Sequence, residues 1–411
     1  MNSSASAHDP ATPTSSSSPS THDATHGDPS TQDVAFGLDT FGDVTVDRGG
    51  RPVHHAQVLR DVVEQAVLAD QVGVDAFGIG EHHRPDFAVS APDVLLAGIA
   101  TRTERITLGS AVTVLSSDDP IRVFQRFATI DALSNGRAEV VLGRGSFTES
   151  FPLFGLDLAR YEQLFSEKLD LFAALLPEGP VTWSGELRPP LVDQHVYPKT
   201  EHGLSAWIAV GGSPESVVRA ARYRMPLMLA IIGGPAGRFA PFADLYREAN
   251  AQLAGAGSAG GGTAGGGAAG GGAAGGGTAA PRLPIAVHSP GFVAETDARA
   301  AELSARHWLV NRNQIGRERG WGDATEADFH REVRSGAMYV GSPETVAQKI
   351  ATTVRTLGLD RFDLKYASGP TPHDDLMTSI DLYGRKVIPR VRELLAEAGY
   401  TAGVPQTVSR V

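Results

Sequence analysis

The sequence contains no cysteine among its 411 residues. That absence excludes disulfide bonds, a thiol nucleophile and cysteine-ligated iron–sulfur clusters, and it suits a cytoplasmic protein. No apolar run approaches the ~20 residues needed to span a bilayer. The formal net charge is −11, whereas surfaces that bind nucleic acid or anionic membranes need clustered lysine and arginine. We therefore expect a cytoplasmic location and neither a nucleic-acid nor a membrane partner.

Two segments have too few apolar side chains to take part in a fold. Residues 1–33 are mostly Ser, Thr, Pro, Asp and His without any Lys or Arg, and we predict a disordered tail. This tail has neither the apolar core of a signal peptide nor the arginines of a transit peptide. Residues 254–280 are mainly glycine triplets separated by Ala or Thr, which predicts a flexible insertion. A single domain over 34–396 and a C-terminal tail over 397–411 remain.

Within this domain, short apolar runs alternate with segments that have the apolar spacing of helices. The predicted strands cover residues 34–38, 76–79, 106–115, 138–142, 206–210, 226–232, 283–288 and 362–366. Eight strand–helix units predict a parallel sheet closed into an α/β (β/α)₈ TIM barrel with insertions. A doubly wound open sheet is the alternative, and the first strand lacks the dinucleotide fingerprint typical of that fold. We predict no regular element in 177–204 and one final helix over 376–395.

Charged and imidazole side chains follow the second predicted strand directly, as Glu81, His82, His83 and Arg84. The carboxyl ends of parallel strands are where α/β folds place their chemistry, and histidine titrates near neutral pH. The alternative is a solvated turn with two incidental histidines. Neighbouring residues in an extended segment point in opposite directions, so we do not expect His82 and His83 to bind one metal ion. We predict no metal site.

Seven motifs occur in one order along the chain: Gly80-Glu-His-His83, Leu108-Gly-Ser-Ala-Val-Thr-Val-Leu115, Gly136-Arg137, Leu142-Gly-Arg-Gly145, Val210-Gly-Gly-Ser-Pro-Glu-Ser216, Met225-Pro-Leu227 and Val287-His-Ser-Pro-Gly-Phe292. Through them the chain, from about residue 34 to about residue 395, resembles the bacterial-luciferase-like flavin-dependent oxidoreductases, a family of (β/α)₈ barrels. The resemblance implies a two-component monooxygenase that uses reduced FMN from a separate reductase, and O₂, on a small organic substrate. It also implies a homodimer. Hydride transfer with a deazaflavin coenzyme and a flavin-binding barrel without turnover are the alternatives.

The segment Gly211, Gly212 and Ser213 ends a predicted strand and precedes a helix that begins with Pro214. Free backbone N–H groups and the positive end of the helix dipole make such a position an anion site. Ser213 is suited to cap the helix and to bind phosphate, and Ser216 lies one turn further on. An ordinary helix cap is the alternative.

Residues 341–345 repeat this motif almost unchanged, so the motif alone does not identify the phosphate site. We assign the FMN phosphate to the first copy because of its double glycine and because the family pattern places phosphate there. The resemblance also gives Arg144 the role of the positive charge beside the phosphate. A structural ion pair is the alternative for Arg144.

The resemblance implies a cis peptide bond between Ala111 and Val112 that presses against one face of the flavin ring. A regular buried strand is the alternative, although the small residues before this bond leave room for a planar ring. His82 is the candidate catalytic residue, because an imidazole near its ordinary pKa can give or take a proton on the substrate side of the ring.

Overall fold

The structure is a computed structural model that describes residues 34–145, 147–259, 282–318 and 320–406. The predicted N-terminal tail, residues 260–280 of the glycine-rich insertion with residue 281 after it, and the last five residues of the chain lie outside the described residues.

Eight parallel strands close into a barrel, as predicted. Each strand pairs with the next one along the chain, and the eighth also pairs with the first, so the sheet has no free edge. In chain order the strands are Ala35–Thr40, Ala76–Ile79, Thr107–Ser110, Ala138–Gly143, Ser205–Val210, Leu227–Ala230, Ile285–Val293 and Arg361–Lys365. This is the (β/α)₈ arrangement, in which the carboxyl ends of all strands meet at one face.

Helices surround the barrel: His55–Gln71, Pro92–Ala100, Pro120–Ser134, Tyr161–Leu175, Pro214–Arg222, Ala240–Ala259, Asp297–Glu318, Glu326–Ser335, Pro343–Leu357, His373–Leu382 and Ile388–Glu397. Their ends follow local sequence rules. The helix Pro120–Ser134 begins after Asp119, whose carboxylate accepts two backbone N–H groups, and it ends at Asn135 in the left-handed conformation. None of the helices in the described ranges has the length and apolar character that a bilayer crossing requires.

The barrel interior contains apolar and charged side chains in contact with each other. Val141, Trp207, Met228 and Ala286 form a small cluster separate from the main core between sheet and helices. The guanidinium of Arg361 lies 5.6 Å from the ring centre of Trp207 and is held by two carboxylates, with Nη1 2.6 Å from Glu139 and Nε 2.7 Å from Asp363. Buried charges persist in proteins when they are paired in this way.

The third strand is shorter than the ten residues predicted. It ends at Ser110 and is followed by the cis peptide bond Ala111–Val112, the two-residue strand Thr113–Val114 and the 3₁₀ turn Leu115–Ser117. The apolar pattern continues through this interruption, so periodicity alone does not reveal it.

Two further segments differ from the prediction. Residues 177–204 contain an antiparallel pair, Val181–Trp183 with Leu191–Gln194, whose strands are too short to give a periodic signal. The final helix is interrupted by a π-helical turn, Tyr383–Val387. Pro389 follows this turn, and proline has no N–H for the α-helical hydrogen bond.

One helix and one short strand were not predicted, and another helix is longer than predicted. The helix Glu326–Ser335 lies in the enlarged connection to the eighth strand and begins with a capping box formed by Thr325 and Asp328. The short strand Tyr339–Gly341 pairs in parallel with the last three residues of the seventh strand. The helix Ala240–Ala259 continues into the first residues of the glycine-rich insertion.

Candidate active site at the barrel mouth

We call the carboxyl end of the eight strands the mouth. Residues within three positions of a strand end there include Phe41, His82, Val112, Arg144 and Gly211. His82 is buried, 8% exposed, and its Nδ1 lies 3.1 Å from Oε1 of Glu149. Three phenylalanine rings surround the imidazole: Phe41, Phe87 and Phe147. A half-buried carboxylate therefore orients a histidine inside an otherwise apolar enclosure.

The pKa of Glu149 reflects this contact. Burial acts to raise it, but the hydrogen bond and the charge of His82, together with backbone N–H groups, lower the pKa overall. Glu149 therefore carries its negative charge at neutral pH and accepts the Nδ1 proton of His82. The Nε2 atom is then the position at which His82 can exchange a proton.

His83 has different neighbours. Its Nε2 lies 2.9 Å from Oε1 of Glu81, and its ring meets the edge of Phe154. Burial raises the pKa of Glu81 in spite of the opposing contact with His83. The two adjacent histidines thus belong to separate histidine–carboxylate pairs.

The cis peptide bond implied by the resemblance is present between Ala111 and Val112. Glycines from the neighbouring strands border it. A Cβ atom on Gly80 would lie 2.9 Å from the carbonyl oxygen of Ala111, and one on Gly143 would lie 2.6 Å from Cγ2 of Val112. The backbone of three strand ends therefore comes together here, without side chains on the two glycines.

The predicted phosphate segment forms a capped helix start. Ser213 accepts a hydrogen bond from the backbone N–H of Ser216 at 3.3 Å, and its hydroxyl donates to Glu215 at 2.8 Å. Gly212 has φ +108°, a conformation that side chains disfavour. Apart from Gly211 itself and its two chain neighbours, no atom of the described residues lies within 4 Å of the position that a Cβ on Gly211 would take. The start of this helix is therefore open to a ligand.

Arg144 is joined to the same helix through Glu162. Nη1 of Arg144 lies 2.7 Å from Glu162, whose other oxygen accepts a hydrogen bond from Arg219 on the helix that Ser213 caps. Nη1 of Arg219 is buried and has no hydrogen-bond partner within the described part of the chain. Two guanidinium groups, one with an unused donor, are thus joined through Glu162: Arg144 after the fourth strand and Arg219 in the last turn of the helix that Ser213 caps. Guanidinium groups are suited to bind phosphate.

The second copy of the motif is already occupied by a side chain. Asp297 accepts a hydrogen bond from the backbone N–H of Ser342 at 2.7 Å and from the hydroxyl of Thr345 at 3.0 Å. Among the described residues, no side chain from another element bonds the backbone N–H groups of Gly211, Gly212 or Ser213. This difference supports the assignment of phosphate to the first copy.

We predicted no metal site. The described residues nevertheless contain one cluster of potential metal ligands, away from His82 and Gly211. Asp61, Glu64 and His373 place ligand atoms within 4.8 Å of one another. Gln57 donates to Asp61, and Gln65 contacts Nδ1 of His373. Because Glu64 is exposed and the other two groups have protein partners, this cluster is explained without an ion.

Sequence reasoning missed Glu149 and Arg219. Glu149 is 67 residues from His82 and lies in a loop without a motif, so nothing in the sequence connects them. Arg219 lies in the last turn of the helix Pro214–Arg222. The Gly-Gly-Ser-Pro-Glu-Ser motif ends at Ser216, so no sequence motif includes Arg219.

The chain matches the family described as luciferase-like monooxygenase over residues 40–361. It is 34% identical over 122 residues to 4-hydroxyprotoasukamycin monooxygenase of Streptomyces nodosus, covering 29% of this chain and 33% of the relative. It is 31% identical over 161 residues to F420-dependent glucose-6-phosphate dehydrogenase of Amycolatopsis mediterranei, covering 37% and 48%. The chain thus matches about half, or less, of the length of these curated relatives.

Among solved structures, the chain is similar to the oxygenating constituent of 3,6-diketocamphane monooxygenase from Pseudomonas putida, determined in complex with FMN. The TM-score is 0.65 at 19% identity, over 87% of this chain and 99% of that one. At this identity the similarity shows the fold. Since the family match extends over most of the chain and the barrel is complete, this protein belongs to the luciferase-like monooxygenase family.

Proposed function

We propose that this protein is a flavin-dependent monooxygenase that uses reduced FMN, supplied by a separate reductase, and O₂ to oxidise a small organic substrate. The observation that carries the proposal is the open helix start at Gly211–Ser213, at the same mouth as His82; Arg144, which directly follows the fourth strand, and Arg219, on this helix, are joined through Glu162. Bound reduced flavin would supply the electrons for oxygen activation.

One group of residues would bind the phosphate of FMN, and a second group would contact the flavin ring. Backbone N–H groups of Gly211 and Gly212 and the hydroxyl of Ser213 would bind phosphate oxygens, and Ser216 supports the cap. Arg144 would supply charge, together with Arg219. The backbone at Ala111 and Val112 would face the ring.

His82 is suited to hold or move a proton at Nε2. Glu149 fixes the ring by accepting the Nδ1 proton, and the three surrounding phenylalanines exclude water. A positioned histidine of this kind contributes roughly 10²–10⁴-fold to a proton-transfer step. The loops around the mouth would select the substrate.

The test compares binding of FMN and of a deazaflavin coenzyme to the full chain by equilibrium titration. Oxygen consumption is then measured with a flavin reductase and reducing agent present. We expect FMN to bind. In a panel of small organic compounds, at least one should be converted to an oxygenated product, with one O₂ consumed for each product molecule formed. Absence of FMN binding, or FMN binding without any oxygenated product, would reject the monooxygenase proposal.

The second candidate is hydride transfer with a deazaflavin coenzyme in the same mouth. The 31% identity with a deazaflavin-dependent dehydrogenase favours it. Tighter binding of deazaflavin than of FMN, with substrate oxidation that needs no O₂, would support this reading. Flavin binding without turnover by either route would leave a binding protein, the third alternative.

We also propose that the protein is a homodimer that pairs through helices beside the barrel. Val94, on the helix Pro92–Ala100, is 69% exposed, and Leu133, on the helix Pro120–Ser134, is 46% exposed. These helices pack against each other, and exposed apolar side chains on adjacent helices are typical of an interface. Light scattering should give twice the chain mass, and Val94→Asp should reduce it; a monomer at all concentrations would contradict this proposal.

A further inference from the structure

A second histidine–carboxylate pair lies inside the barrel below the mouth. Nδ1 of His288, on the seventh strand, is 2.7 Å from Oδ2 of Asp39, on the first strand. Ala286 belongs to the interior cluster, so His288, two residues further along the strand, also points inward. A Cβ atom on Gly78 would contact Cβ of Asp39 at 3.2 Å, which places Asp39 inside the same barrel.

The imidazole is the part of this pair that faces the mouth. Asp39 is 1% exposed and His288 is 9% exposed. The ring of Phe41, directly after the first strand, stacks on His288 at 6.0 Å with an interplanar angle of 11°. The same phenyl ring meets the edge of His82 at 4.9 Å. One aromatic ring therefore separates the two histidines.

Both pairs have the same orientation. Each histidine directs Nδ1 to a carboxylate, and for neither ring does the described part of the chain provide a hydrogen bond to Nε2. A carboxylate at Nδ1 fixes the tautomer and leaves Nε2 to exchange a proton.

Other charged groups also face His288. On the eighth strand, Asp363 acts to raise the pKa of His288 and Lys365 acts to lower it. Burial lowers the pKa further, but the charge and hydrogen bond of Asp39 outweigh these effects, so the pKa is raised overall. Lys365 is itself paired with Asp43, at 3.2 Å.

We propose that Asp39 and His288 form a second proton-holding pair of the mouth, and that FMN binding draws a proton onto His288. This inference rests on the proposed function, because it takes FMN as the ligand. The ligand brings an anionic phosphate and a ring rich in hydrogen-bond acceptors to the mouth, and both favour the protonated imidazole. Asp39 acts as the positioning residue.

The test measures the Kd of oxidised FMN as a function of pH, from about pH 7 to about pH 9, where the phosphate is already fully charged because its second pKa is about 6. The pKa of His288 is raised from its ordinary value of 6.5, chiefly by Asp39 against the effect of burial, so His288 loses its proton at a higher pH than an ordinary histidine does. We expect FMN affinity to fall about tenfold across the range, which corresponds to a one-unit difference between the pKa of free and bound protein.

Three variants show which histidine causes the pH dependence of FMN affinity. His288→Gln should remove most of the pH dependence, whereas His82→Gln and the distant His195→Gln should keep it. A wild-type pH dependence in His288→Gln would overturn this inference while leaving the proposed function intact. Failure of the wild-type protein to bind FMN at any pH would overturn the proposed function, and this inference with it.

A second measurement does not depend on the folding of a variant. In wild-type protein labelled with ¹⁵N-histidine, NMR should show His288 titrating above the ordinary histidine value, with the Nδ1 proton retained. Addition of FMN should raise this pKa further. A His288 pKa that is the same with and without bound FMN would contradict the inference.

Discussion

At the residue scale, His82 and Glu149 form the pair on which catalysis is expected to depend. We predict that His82→Gln lowers turnover by roughly 10²–10⁴-fold, the contribution of one positioned acid–base group. FMN affinity should stay within a factor of about two, because the proposed phosphate site is at Gly211–Ser213 and does not include His82. Steady-state kinetics and FMN titration measure the two quantities. His83→Gln is the matched control. Equal losses in both histidine variants would argue against a specific role for His82.

Arg219 offers a second residue-scale test, because Nη1 has no partner within the described residues. We predict that Arg219→Met weakens FMN binding about 10–100-fold, since a hydrogen bond to a charged group contributes about 1.5–3 kcal/mol. Binding of riboflavin, which lacks the phosphate, should be unchanged. Arg222→Met, on the same helix, serves as the control. A parallel loss of riboflavin and FMN affinity would show that the substitution damages the mouth as a whole.

The single residues differ in how far the sequence reveals them. His82 stands three residues after a strand end, so the rule that active sites lie at the carboxyl ends of strands makes it a candidate. Ser213 is recognisable from its cap motif. Glu149 and Asp39 are not, because each becomes a partner of a histidine only when the barrel closes and brings distant segments together. Hydrogen bonds between such segments are a product of the fold and have no local pattern.

At the element scale, the two helix starts with a Gly-Ser-Pro sequence, at Ser213 and at Ser342, differ in one respect. A carboxylate, that of Asp297, accepts a hydrogen bond from the backbone N–H of Ser342. Asp297 is mostly exposed, and its pKa is lowered, first by the backbone N–H of Ser342. We predict that Asp297→Ala reduces the free energy of unfolding by about 1 kcal/mol at neutral pH, as loss of a capping side chain does. Because the folded pKa lies below the ordinary value of 3.8, this stabilisation is present above that pH and is lost as the pH falls through the folded pKa.

Urea unfolding of the wild type and of Asp297→Ala, at neutral pH and in acid, measures this difference. Glu302→Ala removes an exposed carboxylate from the same helix and should have little effect at either pH. A destabilisation by Asp297→Ala that stays constant into acid would exclude the carboxylate charge as its cause.

Most elements could be predicted because their apolar spacing is strong and their ends carry standard residues. The failures share a physical cause. The third strand stops at Ser110 and the last helix changes its winding at Tyr383–Val387, while the apolar pattern continues in both. Hydrophobic periodicity reports which face is buried, and it is insensitive to a local change in the backbone that keeps the same face inward.

At the scale of the whole molecule, the glycine-rich insertion joins the barrel at the end opposite the mouth. The described chain stops at Ala259 and resumes at Arg282, whose guanidinium pairs with Asp360 just before the eighth strand begins. We predict that replacing residues 260–281 with a shorter Gly-Ser linker leaves FMN affinity unchanged. Titration of the shortened protein measures this, with circular dichroism as the control for folding. A large loss of affinity would mean that the insertion reaches the mouth.

The closed sheet also explains why the fold was the most predictable level. Eight strand–helix units admit few arrangements once the connections are short and right-handed, so alternation alone leads to the barrel. The identity of the ligand at the mouth depends on a few side chains, and the same barrel accepts many chemistries.

Phe41 touches both histidines and lies 4.5 Å below the ammonium group of Lys365. His82 and His288 therefore contact the same phenyl ring. The changes in the free energy of unfolding caused by substituting each histidine should for this reason not be additive. A double-mutant cycle would detect this coupling, and Phe41→Leu, which removes the shared wall, should abolish it. With Phe41 in place, a substitution at a residue on the second strand end would change the energetic effect of a substitution on the seventh strand.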